Sequence, residues 1–347
     1  MSTLFGFGIG IASLNKQDQM LDTLFPAPLA HVSTDQSAQL LAALKAAKID
    51  YNGGNAAIRI NVQECRALAQ ALAGQPDQAA IAKHLSDTER QPVVVVLATD
   101  SEPASVAEAY LKLQLLSHRL IKPHQQNLGG IFACLPNVAW TSEGPIDTDE
   151  LAERQLQARC EGRWIDVKSV DKFPQMTDYV VPSGVRIAAT SRVRLGAYIG
   201  AGTTIMHEGF VNFNAGTAGT SMIEGRISAG VFVDEGSDLG GGSSTMGTLS
   251  GGGAVVISVG KNCLIGANAG IGIGLGDRCI VEAGLYVTAG TKVALLDDKG
   301  ELVSHTKARD LSGKSDLLFR RNSQTGAVEC KTHQSKVELN EALHANN

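Results

Sequence analysis

Residues 187–211 read IAATSRVRLGAYIGAGTTIMHEGFV, and every sixth residue of the stretch is aliphatic: Ile187, Val193, Ile199, Ile205 and Val211. A helix repeats its apolar face about every 3.6 residues and a half-buried strand about every 2, so neither produces this spacing. A coil of three short strands does, each six-residue repeat supplying one strand and one turn, which is a parallel β-helix of about 18 residues per coil. The period resumes at Ile227, Val233 and Leu239, and again at Ile257, Cys263, Ala269, Leu275, Val281, Val287 and Val293. The span implies about six coils and a prism on the order of 29 Å long, at roughly 4.8 Å between paired strands. Glycines fall at turn positions (Gly196, Gly200, Gly202, Gly266, Gly284, Gly290), where the chain must bend. A β-sandwich would bring strands about every 8 to 12 residues with alternating polarity.

Two irregularities mark the place for chemistry. Val211 and Ile227 are 16 residues apart, which reads as roughly four residues added within 212–226 to a pair of six-residue repeats, a loop leaving the prism. From Leu239 to Ile257 the phase is kept, with Thr245 and Gly251 in inward slots, so residues 240–253, GGGSSTMGTLSGGG, are expected to be poorly packed or projecting. Glycine runs let a ligand come close to main-chain N–H groups.

The chain has 347 residues, 44% of them hydrophobic, enough for packed cores and for two domains rather than one. A net charge of −5 gives no electrostatic reason to expect a nucleic-acid partner. Six cysteines without CxxC spacing fit reduced thiols in a cytoplasm, with Cys263 and Cys279 as small core residues. No signal-peptide pattern and no run approaching about 18 apolar residues is found, so no membrane partner is expected.

Residues 1–175 are organised differently. Strand-like residues 4–13, a helical pattern over 34–47, the buried strand VVVV within 92–98 and a helical pattern over 102–121 describe an α/β module. Its GFGIG at residues 6–10 lacks a complete GxGxxG and a clear following helix, and reads as a tight strand. The prism is expected over 176–296. Beyond it, 297–347 hold a hairpin signal around Asp298, Lys299 and Gly300, then LLFRRNS at 317–323 and a Lys/Glu-rich tail. Lys307, Arg309, Lys314, Arg320 and Arg321 form a solvated face or, beside a glycine-rich groove, a phosphate site.

Enzymes built on this repeat are mainly acyl-CoA-dependent acyltransferases and gamma-type carbonic anhydrases, and other relatives are inert scaffolds. A carbonic anhydrase zinc site needs three converging histidines, and His207 is the only one between residues 180 and 300. His207, beside Glu208, is a candidate base or a structural residue. Glu224, in SMIEGRIS where the repeat breaks phase, is placed to accept a proton from an attacking amine or to form a salt bridge with Arg226.

The segments MHEGFVNFNAGTAGTSMIEGRISAGVFVDEGSDLGGGSSTMGTLSGGG (206–253) and LIGANAGIGIGLGDRCIVEAGLYVTAGT (264–291), with LLFRRNS, resemble the tetrahydrodipicolinate N-succinyltransferase family, in the longer branch found in pseudomonads and actinobacteria. The resemblance implies a left-handed parallel β-helix with an N-terminal α/β module and a short C-terminal extension, a homotrimer with active sites between neighbouring prisms, and a cytoplasmic step toward diaminopimelate and lysine. It implies that the amine of 2-amino-6-oxopimelate, the ring-opened substrate, attacks the thioester of succinyl-CoA. Glu224 matches the catalytic glutamate; general base is the role read here, and a covalent anhydride is also open to a carboxylate. Gly247 matches the residue whose N–H holds the thioester oxyanion. The acyl-CoA contacts carry over onto Arg226, Gly241, Ser244, Ala267, Glu282, Ala283, Gly290, Lys307, Arg320, Arg321, Asn322 and Ser323. Some relatives bind Mg²⁺ on the threefold axis through an Asp and a Glu; Glu208 matches the Glu, while Ser191 stands where the Asp is expected. Two alternatives share these features: a hexapeptide acyltransferase with another amine acceptor, and a non-catalytic scaffold.

Overall fold

A computed structural model describes residues 3–247 and 256–332 of the chain. It divides into two compact units, one made of Met1–Ile121, Gln125–Pro174 and Asp178–Val180, the other of Lys122–His124, Gln175–Thr177 and Val181–Asn347.

In the first unit β1 (Leu4–Leu14) is central. It pairs antiparallel with β2 (Met20–Leu24) and β3 (Leu29–Val32) on one side and with β5 (Gln91–Leu97) on the other, and β4 (Ala56–Arg59) closes the sheet beyond β5. Phe7, Ile9, Val94 and Val96 pack against Leu40 and Leu44 of α1 (Thr34–Ala46) and Cys65 and Leu68 of α2 (Val62–Ala71). The GFGIG segment is a strand in the middle of this sheet. Its glycines make room for neighbours: a Cβ on Gly8 would lie 2.6 Å from the Phe25 ring, and one on Gly10 2.3 Å from the Leu24 carbonyl oxygen. A second, three-stranded sheet, Gly144–Asp147, Val138–Thr141 and Val167–Asp171, completes the unit.

The second unit is a parallel β-helix with three faces. On the first face Ile187, Ile205, Ile223, Leu239, Ile265 and Val281 stack rung upon rung. On the second, Val193, Val211, Ile227, Thr245, Ile271 and Val287 do so, and on the third, Ile199, Thr217, Val233, Val259 and Leu275. All of these except Ile187 are buried. A second, smaller inward slot lies two residues before each: Thr203, Ser221, Ser237, Cys263 and Cys279 fill it on the first face.

The register corrects both irregularities. Successive rungs of the first face are 18 residues apart up to Ile223, then 16 to Leu239, 26 to Ile265 and 16 to Val281. No loop leaves the prism within 212–226. Thr217 and Ile223 occupy the inward slots, and the corner from Ile223 to Ile227 is instead two residues short. Thr217 was hidden by its hydroxyl, which is satisfied inside the prism by Thr203 at 2.8 Å. The added residues enter between Thr245 and Val259, so the phase is not kept there. Ile257, Cys263 and Ala269 therefore lie in or near the smaller slot, and Val259, Ile265 and Ile271 take the larger one. Thr245 takes the inward slot expected of it, but it, Ser243 and Ser244 are buried, so this part of 240–253 is neither poorly packed nor projecting; Gly251 and the rest of 248–255 lie outside the described residues. A second short corner, Ile271 to Leu275, restores the phase.

The C-terminal strands extend the first face. Lys292–Leu296 and Leu302–Lys307 form the expected hairpin, its turn held by Asp297, whose carboxylate accepts from the N–H groups of Lys299 and Glu301. Leu317–Arg321 pairs in parallel with Ile280–Val281 and sets Phe319, fully buried, on Val281 as the last layer of the interior.

Candidate active site

The edge between the first and second faces is one continuous hydrogen-bond ladder. The N–H of Glu224 donates to Leu239 O (2.8 Å), Gly240 to Ile265 O (2.8 Å), Gly266 to Val281 O (2.8 Å) and Glu282 to Phe319 O (3.0 Å). Glu224, Gly241, Ala267, Glu282, Ala283, Arg320 and Arg321 are thereby strung along a single edge over five rungs, four steps or roughly 19 Å at about 4.8 Å each. The end of the string is pinned where the Arg321 N–H donates to the Glu282 carboxylate (2.6 Å).

Glu224 begins the short corner. Its side chain is half-buried and lies over the next rung, where a Cβ on Gly241 would be 3.3 Å from Oε2. Gly225 follows because nothing larger fits: a Cβ there would lie 2.0 Å from Ser243 Oγ and 2.7 Å from its carbonyl oxygen. No ion pair joins Glu224 to Arg226 among the described residues. Arg226 instead donates to Ser244 Oγ (2.7 Å) across the second face. That face carries Arg226, Ser244, Gly270 and Tyr286 on successive rungs, and the Tyr286 ring lies over Gly270 and reaches Ser244 (3.5 Å).

Gly247, Gly290 and Lys307 lie along the opposite edge of the same face. Gly247 follows the strand Ser244–Thr245, and among the described residues nothing accepts a hydrogen bond from its N–H. The turn after Lys307 docks on the Gly290 corner, the Ala308 N–H donating to Thr291 O and that of Arg309 to Ala289 O. The sequence-derived residues thus frame one face from both sides, with Glu224 and Gly247 on opposite edges of it. Arg320 and Asn322 are held by Glu329, Nε at 2.9 Å and Nδ2 at 2.8 Å, while Ser323 is exposed beyond them. The hydrogen bond from Asn322, with Arg320 adding to it, keeps the Glu329 carboxyl below the usual carboxylate range.

A cavity of about 520 Å³ is lined by Arg192, Glu208, Phe210, Gly225, Arg226, Gly242, Ser243 and Ser244; the corner reaches it through Gly225, and Glu224 is not part of the lining. Arg192, Phe210, Ser243 and Tyr286 were not singled out by sequence. Only the rung register, set by the two short corners, shows that they neighbour Arg226 and Ser244. Glu208 is largely exposed, and a hydrogen bond from His207 Nδ1 (2.8 Å) holds its carboxyl below the ordinary value. His207 is thus bound to Glu208 and lies outside the cavity lining. One chain offers this single carboxylate, with Ser191 about one coil earlier in the sequence, and no group of three His, Cys, Asp or Glu able to hold a metal occurs among the described residues. A site on a threefold axis would take Glu208 from each of three chains, and one chain supplies a single carboxylate to it.

A hexapeptide prism with a half-buried glutamate at a shortened corner, flanked by bare peptide groups and arginines, defines the class of left-handed β-helix acyltransferases. Family models agree in detail: tetrahydrodipicolinate N-succinyltransferase N-terminal matches residues 11–133, its middle segment 135–175, and the hexapeptide repeat of succinyl-transferase 256–289. The chain is 62% identical over 346 residues to the 2,3,4,5-tetrahydropyridine-2,6-dicarboxylate N-succinyltransferase of Pseudomonas paraeruginosa, covering 99% of both, and 58% identical over 345 residues to that of Vibrio cholerae, again covering 99% of both. A crystal structure assigned as a 2,3,4,5-tetrahydropyridine-2-carboxylate N-succinyltransferase from Campylobacter jejuni superimposes with a TM-score of 0.88 at 33% identity, over 97% of this chain and 94% of that one. The chain belongs to the tetrahydrodipicolinate N-succinyltransferase family.

Proposed function

We propose that the chain transfers the succinyl group of succinyl-CoA to the amine of ring-opened tetrahydrodipicolinate, in the route to diaminopimelate and lysine. The amine nitrogen bonds to the thioester carbonyl carbon, the carbon–sulfur bond breaks, and the proton lost by nitrogen passes through Glu224 to the departing thiolate. The products are N-succinyl-2-amino-6-oxopimelate and free CoA. The single observation that carries this reading is the edge ladder, which strings Glu224, Gly241, Ala267, Glu282, Ala283 and Arg321 in one line that an extended thioester can follow.

In this reading Glu224 is the general base and the Gly247 N–H, which has no acceptor among the described residues, stabilises the oxyanion. Loss of such a donor raises the barrier by about 3 to 4 kcal/mol. Arg226, Gly241, Ser244, Ala267, Glu282, Ala283, Gly290, Lys307, Arg320, Arg321, Asn322 and Ser323 contact the acyl-CoA, Arg320 and Asn322 through the geometry that Glu329 sets. The separation of Glu224 and Gly247 on opposite edges supports a homotrimer in which neighbouring prisms share each site. The six free thiols and the absence, among the described residues, of a helix long and apolar enough to cross a membrane agree with a cytoplasmic enzyme.

A thiol-release assay tests the assignment. CoA release from succinyl-CoA should require the cyclic dicarboxylate and be silent with simple amines, and the particle mass should be three times 36.4 kDa. Release with unrelated amines at equal rates refutes the acceptor, and no release at any substrate level refutes catalysis.

A further inference from the structure

A second cavity, of about 400 Å³, lies wholly within the N-terminal unit, between strands β1 and β2 and the strands Val138–Thr141 and Gly144–Asp147. Its size is in the range of small-molecule sites, about 300 to 1,000 Å³. Its charges are arranged in two groups. Inside is Asp22, 7% exposed, whose carboxylate accepts from the Tyr179 hydroxyl (2.5 Å) and the Ser13 N–H (3.2 Å) and touches no cation at hydrogen-bond distance. At the wall stand two cations and a second carboxylate: Arg90, exposed and without an ion-pair partner among the described residues, and Lys168, 3.9 Å from Asp178, which also lines the cavity. Trp140, 5% exposed and fixed by its Nε1–H on Asp171 O (2.9 Å), supplies an apolar side.

A buried carboxylate met only by neutral donors is under-compensated, and burial indeed pushes the Asp22 carboxyl up. An ammonium group is the ligand atom that remedies this. A carboxylate on the same ligand, held a few bonds away, meets the guanidinium of Arg90, which is suited to bidentate recognition. We propose that this cavity is a second binding site, separate from the acyl-transfer edge, for a zwitterionic amino acid, its ammonium on Asp22 and its carboxylate on Arg90 and Lys168.

The protein has two tryptophans, and Trp164 is 67% exposed, so a Trp164→Phe chain leaves Trp140 as the only reporter. Its fluorescence is titrated with L-lysine, L-glutamate and meso-2,6-diaminopimelate, and with cadaverine and succinate, each of which carries only one kind of charge. At least one of the three amino acids should give a saturable change, and both single-charge compounds should bind at least about tenfold more weakly, the scale of one lost charge-assisted hydrogen bond. Arg90→Gln, a surface change that leaves the fold alone, and Asp22→Asn should each weaken the amino acid by a similar factor. The proposal is overturned if none of the three binds more tightly than about 10 mM, where little binding free energy remains. It is equally overturned if cadaverine or succinate binds as well as the best amino acid, or if Arg90→Gln, melting as the parent does, keeps full affinity.

Discussion

Gly225→Ala tests whether the shortened corner positions Glu224. The added methyl would lie 2.0 Å from Ser243 Oγ, 2.7 Å from Ser243 O and 3.1 Å from its carbonyl carbon. Ser243 is 1% exposed in the smaller inward slot, and the contact with its carbonyl oxygen remains whatever its hydroxyl does, so the corner itself must move outward. Overpacking of this kind costs about 1 to 3 kcal/mol, which for a unit of this size lowers the melting temperature by roughly 2 to 12 °C. A catalytic group displaced by about 1 Å loses on the order of 100-fold in turnover. Calorimetry and thiol release should therefore show a moderate drop in melting temperature with at least about a tenfold fall in kcat, the larger effect being kinetic. Adding Ser243→Gly removes the Oγ contact but not the one with the carbonyl oxygen, so recovery should be partial. A Gly225→Ala enzyme with parental melting and kcat within threefold refutes the role given to the corner.

Lys112 is fully buried and donates to Asp100 (2.5 Å), Ser101 O (2.7 Å) and Asn127 O (2.8 Å). Lys112→Met should destabilise the N-terminal unit by about 3 kcal/mol, the low end for a broken buried pair because the Asp100 side chain is 31% exposed, read as a lower urea midpoint. The depressed Glu329 carboxyl contributes stability that is complete above its unfolded value near 4.5 and is lost as pH falls through its lower folded value. Thermal melts of Glu329→Gln should accordingly show a smaller loss between neutral pH and acid below that value than the parent does.

The period of six was legible because aliphatic side chains fill the larger inward slot, and it delivered the prism, its faces and the position of Glu224 at a break. The sense of the break was not legible. Thr217 fills a slot with a polar group, so a shortened coil resembled a lengthened one. The later insertion of eight residues moves the phase by two, onto the smaller inward slot where Cys263 and Ala269 are equally apolar, and the second short corner cancels the shift by Leu275. A pattern with two inward slots per repeat hides such an insertion. The flanking groups found through the family resemblance fall on the two edges of one face, but Arg192, Phe210 and Tyr286 become neighbours only through register. Nothing in the N-terminal module's sequence marks the Asp22 cavity, since its residues come from six separate segments.

The central claim is that the carboxylate of Glu224, at the start of the shortened corner, removes the proton that acyl transfer to the amine releases. Glu224→Gln keeps the side chain's size and the main-chain hydrogen bonds of the ladder while abolishing the base. Single-turnover release of CoA from succinyl-CoA, measured with particle mass and CoA affinity in the same preparation, should fall at least about 100-fold with the other two unchanged. A rate within threefold of the parent would contradict the claim.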